Sequence, residues 1–256
     1  PDKKMENFYW AQMYKLASAT RIGGGLLDNS GPWQVLTPWP NAWWNLNVQL
    51  SYWSVYASNR LELGMPLVNA IGSNLNNLIN NVPEAYRKDA AALPVATDFN
   101  LIGETVNIPG TEKKAQVGNL PWICHNLWLQ YRFSMDESIL RNTIFPTLRR
   151  AINFYLPFLK EDKQGKLHLQ RTFSPEYGIA EDCNYDIALL RWGCNTLLET
   201  TKILSIDDEL IPRWKQVMEK LTDYPQDANG MMIGKDVPFS RSHRHYSHLL
   251  MFYPLY

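Results

Sequence analysis

Apolar residues recur at helical spacing through most of this 256-residue chain, and this periodicity limits the fold more than any other feature. Several of the periodic segments open on a proline, which suits the first turn of a helix. The predicted helices are Asn7–Ala19, Asn47–Ser58, Pro66–Ile79, Pro83–Ala92, Pro121–Phe133, Glu137–Leu159, Tyr185–Leu204 and Asp207–Leu221. Helices joined in pairs, with long loops between some pairs, favour an all-α toroid or bundle.

Proline and glycine exclude regular helices from the stretches between these segments. The stretch Leu26–Asn41 contains three prolines and is predicted to be a long loop. Residues 93–120 are also irregular, with short strands predicted at Leu93–Thr97 and Glu104–Ile108, and Leu167–Leu169 is a third candidate strand. No repeat and no linker divides the chain, so residues 1–256 are predicted to form a single helical unit.

The charge balance argues against two classes of partner. Lys plus Arg is 25 and Asp plus Glu is 25, so the chain has no net attraction to phosphate backbones, and nucleic acid is not expected as a partner. The apolar runs are short, and no membrane span is predicted. The cysteines Cys124, Cys183 and Cys194 are widely spaced, which fits buried free thiols better than a disulfide framework or a metal site.

Aromatic residues and asparagine are both abundant. The chain has 10 Trp, 13 Tyr, 9 Phe and 21 Asn. Trp and Tyr stack on the apolar faces of sugars, and the Asn amide both donates to and accepts from hydroxyl groups. An aromatic core with Asn-rich turns has the same composition, so the motifs must decide between the two interpretations.

The first motif is Trp43-Trp44-Asn45-Leu46-Asn47, just before a predicted helix. In an extended segment, side chains two residues apart share one side, so Asn45 and Asn47 would form one wall. Two adjacent carboxamides position a water or a sugar hydroxyl. The alternative is that the amides cap the helix and pack the loop.

The second motif is Phe173-Ser174-Pro175-Glu176-Tyr177, which places Glu176 in a loop between aromatic residues. A carboxyl partly removed from water has a raised pKa and acts as a general acid near neutral pH. The alternative is an ordinary surface glutamate.

The third motif contains three of the five histidines, in Ser242-His243-Arg244-His245-Tyr246-Ser247-His248. The spacing of His243, His245 and His248 resembles that of metal ligands, but Arg244 would repel a cation there. Neutral imidazoles beside an arginine bind sugar hydroxyls equally well. A buried polar patch is the third interpretation.

A fourth segment, Pro121–Trp128, places Trp122 and His125 on one face of a predicted helix. Trp128 faces elsewhere and is predicted to belong to the core.

Together and in this order, these segments resemble the catalytic domain of glycoside hydrolase family 95, the inverting α-L-fucosidase family. The family patterns are approximately H-x-N-x-N-x-Q-x-x-Y-W, W-x-C-x-x-x-W, S-P-E and H-R-H-x-S-H-L. The matching residues are Asn45, Asn47, Gln49, Tyr52 and Trp53; Trp122, Cys124 and Trp128; Ser174, Pro175 and Glu176; and His243, Arg244, His245, Ser247, His248 and Leu249.

The resemblance implies an (α/α)6 toroid, incomplete within these residues, with a few short strands in loops and the site at one mouth. It implies that Glu176 is the general acid that protonates the glycosidic oxygen. It implies that Asn45 and Asn47 position the attacking water, helped by an aspartate.

The resemblance further implies sugar contacts from Trp122, His243, Arg244 and His245, without a metal or an organic cofactor. The implied partner is an oligosaccharide or glycan carrying a terminal α-L-fucoside, with an α-L-galactoside as second choice. The implied location is secreted or periplasmic.

Three departures from the family pattern limit these implications. Trp43 stands where the family usually has a histidine that touches the sugar, so we expect Trp43 to line the sugar site instead. Met231-Met232-Ile233-Gly234 replaces a usual Glu-Trp pair. The aspartate motif, near D-G-N-F-G, lies downstream of H-R-H in the family and is absent from these 256 residues, which suggests a fragment whose barrel continues further.

Two other functions stay open. A non-catalytic carbohydrate-binding relative would retain the pocket and lack turnover, and the missing aspartate motif favours it. A toroid hydrolase acting on another α-glycoside, such as an α-glucoside or an α-mannoside, is the third reading.

Overall fold

The structure is a computed structural model that describes residues 2–27, 37 and 39–255. Helices dominate this part of the chain, and its strands form four antiparallel pairs of two or three residues each. This confirms the predicted all-α class. Most of the predicted loop Leu26–Asn41 lies outside the described residues.

The first helix, α1 (Lys3–Ala19), begins four residues before the predicted start at Asn7. Asp2 explains the difference, because its side chain caps the helix by accepting a hydrogen bond of 2.8 Å from the Lys4 amide. Further along the chain, β1 (Ala42–Trp43) leads through a turn into α2 (Asn47–Ala57).

The predicted helix Pro66–Ile79 is divided into α3 (Met65–Ser73) and α4 (Leu75–Asn80). Asn74 lies at the break, with its side-chain amide donating to the Ala70 carbonyl at 2.9 Å. Such local bonds compete with the helical pattern, and this explains why the apolar periodicity continues across two helices.

The predicted helix Pro83–Ala92 is wrong, since only a 3₁₀ turn forms at Glu84–Tyr86. Tertiary contacts take the backbone groups that a helix would use. The Ala92 amide donates to the Leu78 carbonyl at 3.0 Å, and the Arg150 guanidinium donates to the Lys88 carbonyl at 3.1 Å. Packing therefore overrides the local propensity here.

The two strands predicted within residues 93–120 are mostly wrong. Only β2 (Ala96–Thr97) forms, and it pairs with β1. Glu104–Ile108 is not a strand, because its backbone bonds to a helix end: the Val106 amide donates to the Asn81 carbonyl at 2.8 Å.

The next helices are α5 (Asn119–Ser134), α6 (Glu137–Ile139) and α7 (Phe145–Asn153), with a π-helical stretch Leu140–Ile144 between the last two. Pro146 lies in the first turn of α7 and lacks an amide proton, which accounts for the altered hydrogen bonding just before it. The predicted helix Glu137–Leu159 is therefore interrupted before Pro146, and its last α-helical residue is Asn153 rather than Leu159.

Two hairpins follow. The first pairs β3 (Leu159–Glu161) with β4 (Leu167–Leu169), as predicted for the latter. The second pairs β5 (Thr172–Ser174) with β6 (Gly178–Ala180). The chain continues through α8 (Asn184–Leu204), the short α9 (Ile211–Lys220), and a small pair of β7 (Gln226–Asp227) and β8 (Gly230–Met231).

Helices α5 and α8 are buried on most of their surface and carry the core, packed with α2, α7 and α9. Gly193 allows α8 to approach α7, because a Cβ at this position would collide with Ile152. Leu250 and Leu255, at the end of the described chain, cover Trp122 and Tyr185 in a smaller apolar cluster. No helix in the described ranges is both long and apolar enough to cross a bilayer.

Candidate active site

Three distant segments border one cleft of about 180 Å³, which we call the motif cleft. Its lining residues are Trp39, Trp43, Asn45, Leu46, Asn47, Glu176, Arg244 and His245. Six of these eight residues were predicted from sequence to serve a single site. The fold brings the six predicted residues together from positions as distant in sequence as Trp43 and His245.

The first wall is the turn between β1 and α2. Trp44, which is fully buried, anchors this turn through its indole nitrogen, which donates to Thr97 Oγ1 at 2.9 Å. Leu46 occupies the cap position of α2, and no side chain makes a capping bond there. The capping interpretation of Asn45 and Asn47 is therefore wrong.

Asn45 lines the cleft although it is only 5% exposed. Its side-chain amide makes no hydrogen bond to any residue in the described part of the chain. Buried amides are nearly always paired with protein or with ordered water. The unpaired Asn45 amide is therefore available to a water or a hydroxyl in the cleft, beside the more exposed Asn47.

The second wall is the tight turn that joins β5 to β6 and carries Glu176. The Tyr177 amide donates to the Ser174 carbonyl at 3.1 Å, and Glu176 has a φ of 56°. With Pro175 before it, this is the pattern of a type II turn, in which glycine or asparagine is the usual residue at the left-handed position. A glutamate held there is the kind of local strain that collects at functional sites.

The third wall is the loop before residue 247, and two contacts tie it to the Glu176 turn. The Tyr177 hydroxyl accepts hydrogen bonds from the backbone amides of Ser240 at 2.8 Å and Arg241 at 3.2 Å. The buried hydroxyls of Ser174 and Ser247 lie 2.9 Å apart. These ties hold Arg244 and His245 beside the Glu176 carboxylate.

Arg244 grips the Glu176 carboxylate with two nitrogens: Nε lies 3.0 Å from Oε2, and Nη2 lies 3.0 Å from Oε1. His245 Nε2 lies 3.3 Å from Oε2. Burial lowers the pKa of His245, and the opposing attraction of Glu176 does not reverse this effect. The neutral imidazole thus presents one hydrogen-bond donor to the carboxylate. Glu176 therefore faces a cation as well as the two tryptophans, Trp39 and Trp43, that line the same cleft.

His243 and Trp122 lie outside the lining of the motif cleft. His243 stands next to it, with Nδ1 accepting from the His245 amide at 3.1 Å. Trp122 is 3% exposed and packs edge-on against Tyr185. Their predicted roles as sugar contacts stay predictions. No group of three or more His, Cys, Asp or Glu within the described ranges is arranged to hold a metal ion.

Sequence reasoning missed several residues that build this site. Trp39 and Leu46 line the cleft, and Tyr177, Ser174 and Ser247 hold its loops together. Ser174 and Ser247 both belong to the motifs, and this membership could have indicated that the two motifs contact each other. Trp39 stands between two prolines in a loop and gave no such signal.

Comparison with known proteins is consistent with these observations. The model of the glycosyl hydrolase family 95 catalytic domain matches residues 1–256. "Alpha-L-fucosidase 2" of Arabidopsis thaliana is 25% identical over 260 aligned positions, covering 94% of this chain and 30% of that protein. "Probable alpha-fucosidase A" of Aspergillus niger is 26% identical over 141 positions, covering 52% of this chain and 17% of that protein.

Among solved structures, "Putative kojibiose phosphorylase from human microbiome" superposes with a TM-score of 0.55 at 13% identity. The superposition covers 76% of this chain and 28% of that one. This likeness concerns the fold, and it supports the predicted α/α toroid. The chain spans less than a third of the length of each of these relatives.

Proposed function

This chain belongs to glycosyl hydrolase family 95, and from that premise we propose that the whole protein removes terminal α-L-fucosyl residues from glycans with inversion of configuration. The observation that carries the proposal is the shared motif cleft, where the Glu176 carboxyl and the unpaired Asn45 amide meet. The names of the two fucosidase relatives support the choice of sugar. An α-L-galactoside, which has the same ring stereochemistry, is the second substrate.

The size of the motif cleft supports attack on a terminal residue. At about 180 Å³ it lies below the range of about 300–1,000 Å³ typical of pockets for drug-sized ligands. A cleft of this size accommodates one sugar ring rather than an internal stretch of a polysaccharide.

In the proposed reaction Glu176 protonates the glycosidic oxygen, and water attacks the opposite face of the sugar. Asn45 and Asn47 hold that water. An inverting enzyme needs a second carboxylate about 6.5–9.5 Å from the acid. Within the described lining of the motif cleft Glu176 is the one carboxylate, so we propose that an aspartate elsewhere in the whole protein acts as the base.

Arg244 must move for this reaction to proceed. Glu176 has to reach the glycosidic oxygen to act as the acid, and the Arg244 guanidinium bonds both of its carboxyl oxygens. The Arg244 side chain is 67% exposed and is therefore free to leave. We propose that the sugar hydroxyls draw Arg244 away from Glu176 and so free the carboxyl group for the glycosidic oxygen when substrate is bound.

One observation favours a second candidate function, sugar binding without turnover. Glu176, the one carboxylate in the described lining of the cleft, is already paired with the Arg244 guanidinium. A protein that only binds the sugar needs no free acid, and in that case Arg244 and Glu176 would both contact hydroxyls.

The test replaces Glu176 by Gln in the full-length protein, with Glu181→Gln as a matched control. Glu181 follows the same hairpin, lies outside the motif cleft and is 52% exposed. We expect turnover of unactivated fucosylated glycans to fall about 10²–10⁴-fold in Glu176→Gln. An aryl fucoside with a good leaving group should lose much less, because its departure needs no proton.

One further measurement tests the inverting mechanism, and another separates the two candidate functions. Proton NMR of the first-formed product should show the β anomer of fucose, and an α anomer would overturn the inverting mechanism. A wild-type protein that binds fucose in calorimetry but hydrolyses neither substrate would establish the binding function instead.

A further inference from the structure

A second and larger cleft, of about 580 Å³, lies against the motif cleft and shares Trp43 with it. We propose that this neighbouring cleft binds the part of the glycan that remains after the terminal sugar is removed, namely a neutral oligosaccharide leaving group. The proposal rests on the proposed function. It adds a second binding site, whose lining apart from Trp43 comes from segments outside the sequence motifs.

Trp43 is the wall between the two clefts. Its indole nitrogen donates to the Pro40 carbonyl at 2.8 Å, which fixes the plane of the ring. Its backbone pairs with Ala96 across β1 and β2, and the following Trp44 amide donates to the Val95 carbonyl at 2.8 Å. A ring held in this way borders both clefts and needs little further ordering during binding.

The far wall of the neighbouring cleft is equally well fixed. Asp98 Oδ1 accepts from the Asn100 and Ile102 amides, both at 2.9 Å. The buried Asn81 side chain donates to the Leu101 carbonyl at 2.9 Å. Gly103 packs so closely that a Cβ there would lie 2.5 Å from Pro94 Cγ. This loop is therefore a preformed surface.

A third segment connects the neighbouring cleft to the turn that carries Glu176. The Ala115 carbonyl accepts from the Phe173 amide at 3.0 Å, and the Lys114 ammonium lies 5.0 Å from the centre of the Phe173 ring. Phe173 precedes Glu176 by three residues. The segment is therefore bonded to the strand that leads into the turn carrying the proposed acid.

The lining of the neighbouring cleft suits sugar hydroxyls. It combines one half-buried aromatic ring with amide, hydroxyl and charged groups of both signs, contributed by Trp43, Asp98, Glu104, Thr105, Asn107, Lys114 and Gln116. Mixed charge favours a neutral ligand over an anionic one. Its volume of about 580 Å³, against about 180 Å³ for the motif cleft, is sufficient for more than one sugar unit.

The experiment compares two variants with two controls in the full-length protein. Thr105→Trp fills the neighbouring cleft, and Lys114→Ala removes one of its donors. Lys113→Trp and Lys113→Ala are the matched controls, since Lys113 is exposed and adjacent but does not line either cleft. Each protein is assayed on a fucosylated oligosaccharide and on a compact aryl fucoside, and defucosylated oligosaccharide is titrated in by calorimetry.

We expect Thr105→Trp to lower the ratio of kcat/KM for the oligosaccharide to that for the aryl fucoside about tenfold. It should also weaken the binding of the defucosylated oligosaccharide about tenfold. Lys114→Ala should show the same pattern to a smaller extent, and both Lys113 variants should match the wild type. Unchanged ratios and unchanged oligosaccharide binding in both cleft variants would overturn the proposal.

Failure of the proposed function gives a different result. In that case the wild-type protein would hydrolyse neither substrate, while the calorimetric comparison of the same variants would still decide whether the neighbouring cleft binds oligosaccharide.

Discussion

Arg244 and Glu176, 68 residues apart in sequence, form a two-pronged ion pair at the mouth of the motif cleft, with Nη2 2.7 Å from Oε2 at the closest approach. The side chains are 67% and 40% exposed, respectively. Exposed pairs of this kind contribute about 0–1 kcal/mol to folding. The pair therefore contributes little to stability, and in the proposed mechanism it determines whether the carboxylate contacts a sugar or a guanidinium.

Replacing Arg244 by Ala should lower kcat/KM about 10²-fold, to a similar extent for a fucosylated glycan and for an aryl fucoside. The expected loss is that of a charged hydrogen bond to the sugar, which costs about 1.5–3 kcal/mol and does not depend on the leaving group. The midpoint of urea unfolding should shift by the equivalent of less than about 1 kcal/mol.

A double-mutant cycle with Glu176→Gln gives the control for this prediction. Because the two residues are in contact, their effects on catalysis should be non-additive. Two outcomes would show that Arg244 does not exchange Glu176 for the sugar. One is strict additivity of the two substitutions, and the other is a loss in Arg244→Ala that depends on the leaving group as strongly as the loss in Glu176→Gln.

Much of this site was predictable from sequence because its residues belong to short motifs with specific spacing. The S-P-E and H-R-H segments gave Glu176, Arg244 and His245, and the fold brings all three into one cleft. The ion pair itself was not predictable, since nothing in either motif indicates which charged side chain of one faces the other. Such contacts depend on how two loops are positioned by tertiary packing.

The same reasoning explains which helices were predicted well. Helices α5 and α8 are buried along most of their length, so the core requires apolar residues at helical spacing, and their predicted ranges agree with the structure to within two residues. The predicted helix Pro83–Ala92 failed because contacts from distant residues satisfy its backbone groups, as Arg150 does for Lys88. Periodicity reports on the local pattern and carries no information about such partners.

Tyr177→Phe should loosen the loop that carries Arg244 and His245. The Tyr177 hydroxyl accepts from two backbone amides, those of Ser240 and Arg241, and phenylalanine offers no acceptor. We expect faster hydrogen exchange at these two amides and a reduced kcat/KM, with little change in thermal stability because this loop is exposed. Tyr9→Phe, on the exposed surface of α1, is the matched control. Unaltered exchange at both amides would contradict the prediction.

Asp186 should make the protein less stable as the pH rises. The carboxylate is fully buried beneath the Glu176 hairpin and accepts from the hydroxyls of Tyr155 and Thr172, both at 2.6 Å. Burial raises the pKa of Asp186 to about 7. An unfolded carboxyl ionises near pH 4, so between about pH 4 and 7 the folded state holds a proton that the unfolded state has lost. Stability therefore falls across this range and stays lower above it.

Asp186→Asn removes this pH dependence while keeping the shape of the side chain. Urea unfolding at pH 5 and pH 8 gives the free energy of unfolding of both proteins. Relative to the wild type, the value for the variant should be higher at pH 8 than at pH 5 by a few kcal/mol, since one pKa unit corresponds to about 1.4 kcal/mol. Asp223→Asn, at an exposed position, is the control and should follow the wild type. Parallel pH curves for wild type and Asp186→Asn would contradict the prediction.

His168 should stabilise the protein at low pH. Its ring nitrogens lie 2.7 Å from Asp182 Oδ2 and 3.2 Å from Asp162 Oδ2. Burial opposes the charged imidazole more than any other single influence, but the two carboxylates together outweigh burial and raise the pKa of His168. The contribution is fully present below the ordinary pKa of about 6.5 and is lost as the pH rises through the raised value.

Urea unfolding should therefore show that His168→Gln is less stable than the wild type. This deficit in the free energy of unfolding should be largest below pH 6.5 and become smaller at higher pH. Asp162→Asn removes one of the two carboxylates and should give a smaller deficit with the same dependence on pH. A deficit that grows as the pH rises would show that the neutral imidazole is the stabilising form.

Asn45→Ala should lower kcat on fucosylated glycans and on aryl fucosides alike. Asn45 is a buried residue at the motif cleft whose amide has no partner in the described part of the chain, and the proposed mechanism assigns this amide to the attacking water. Water attack is common to both substrates, whereas protonation by Glu176 matters mainly for the poorer leaving group. Loss of one preorganised hydrogen-bonding group costs about 10²–10³-fold in kcat.

Asn47→Ala should give a smaller loss because Asn47 is more exposed, and Asn76→Ala, on the exposed face of α4, should give none. An Asn45→Ala variant that raises KM with kcat intact would show that Asn45 binds the sugar rather than the water, since only an interaction gained in the transition state changes kcat.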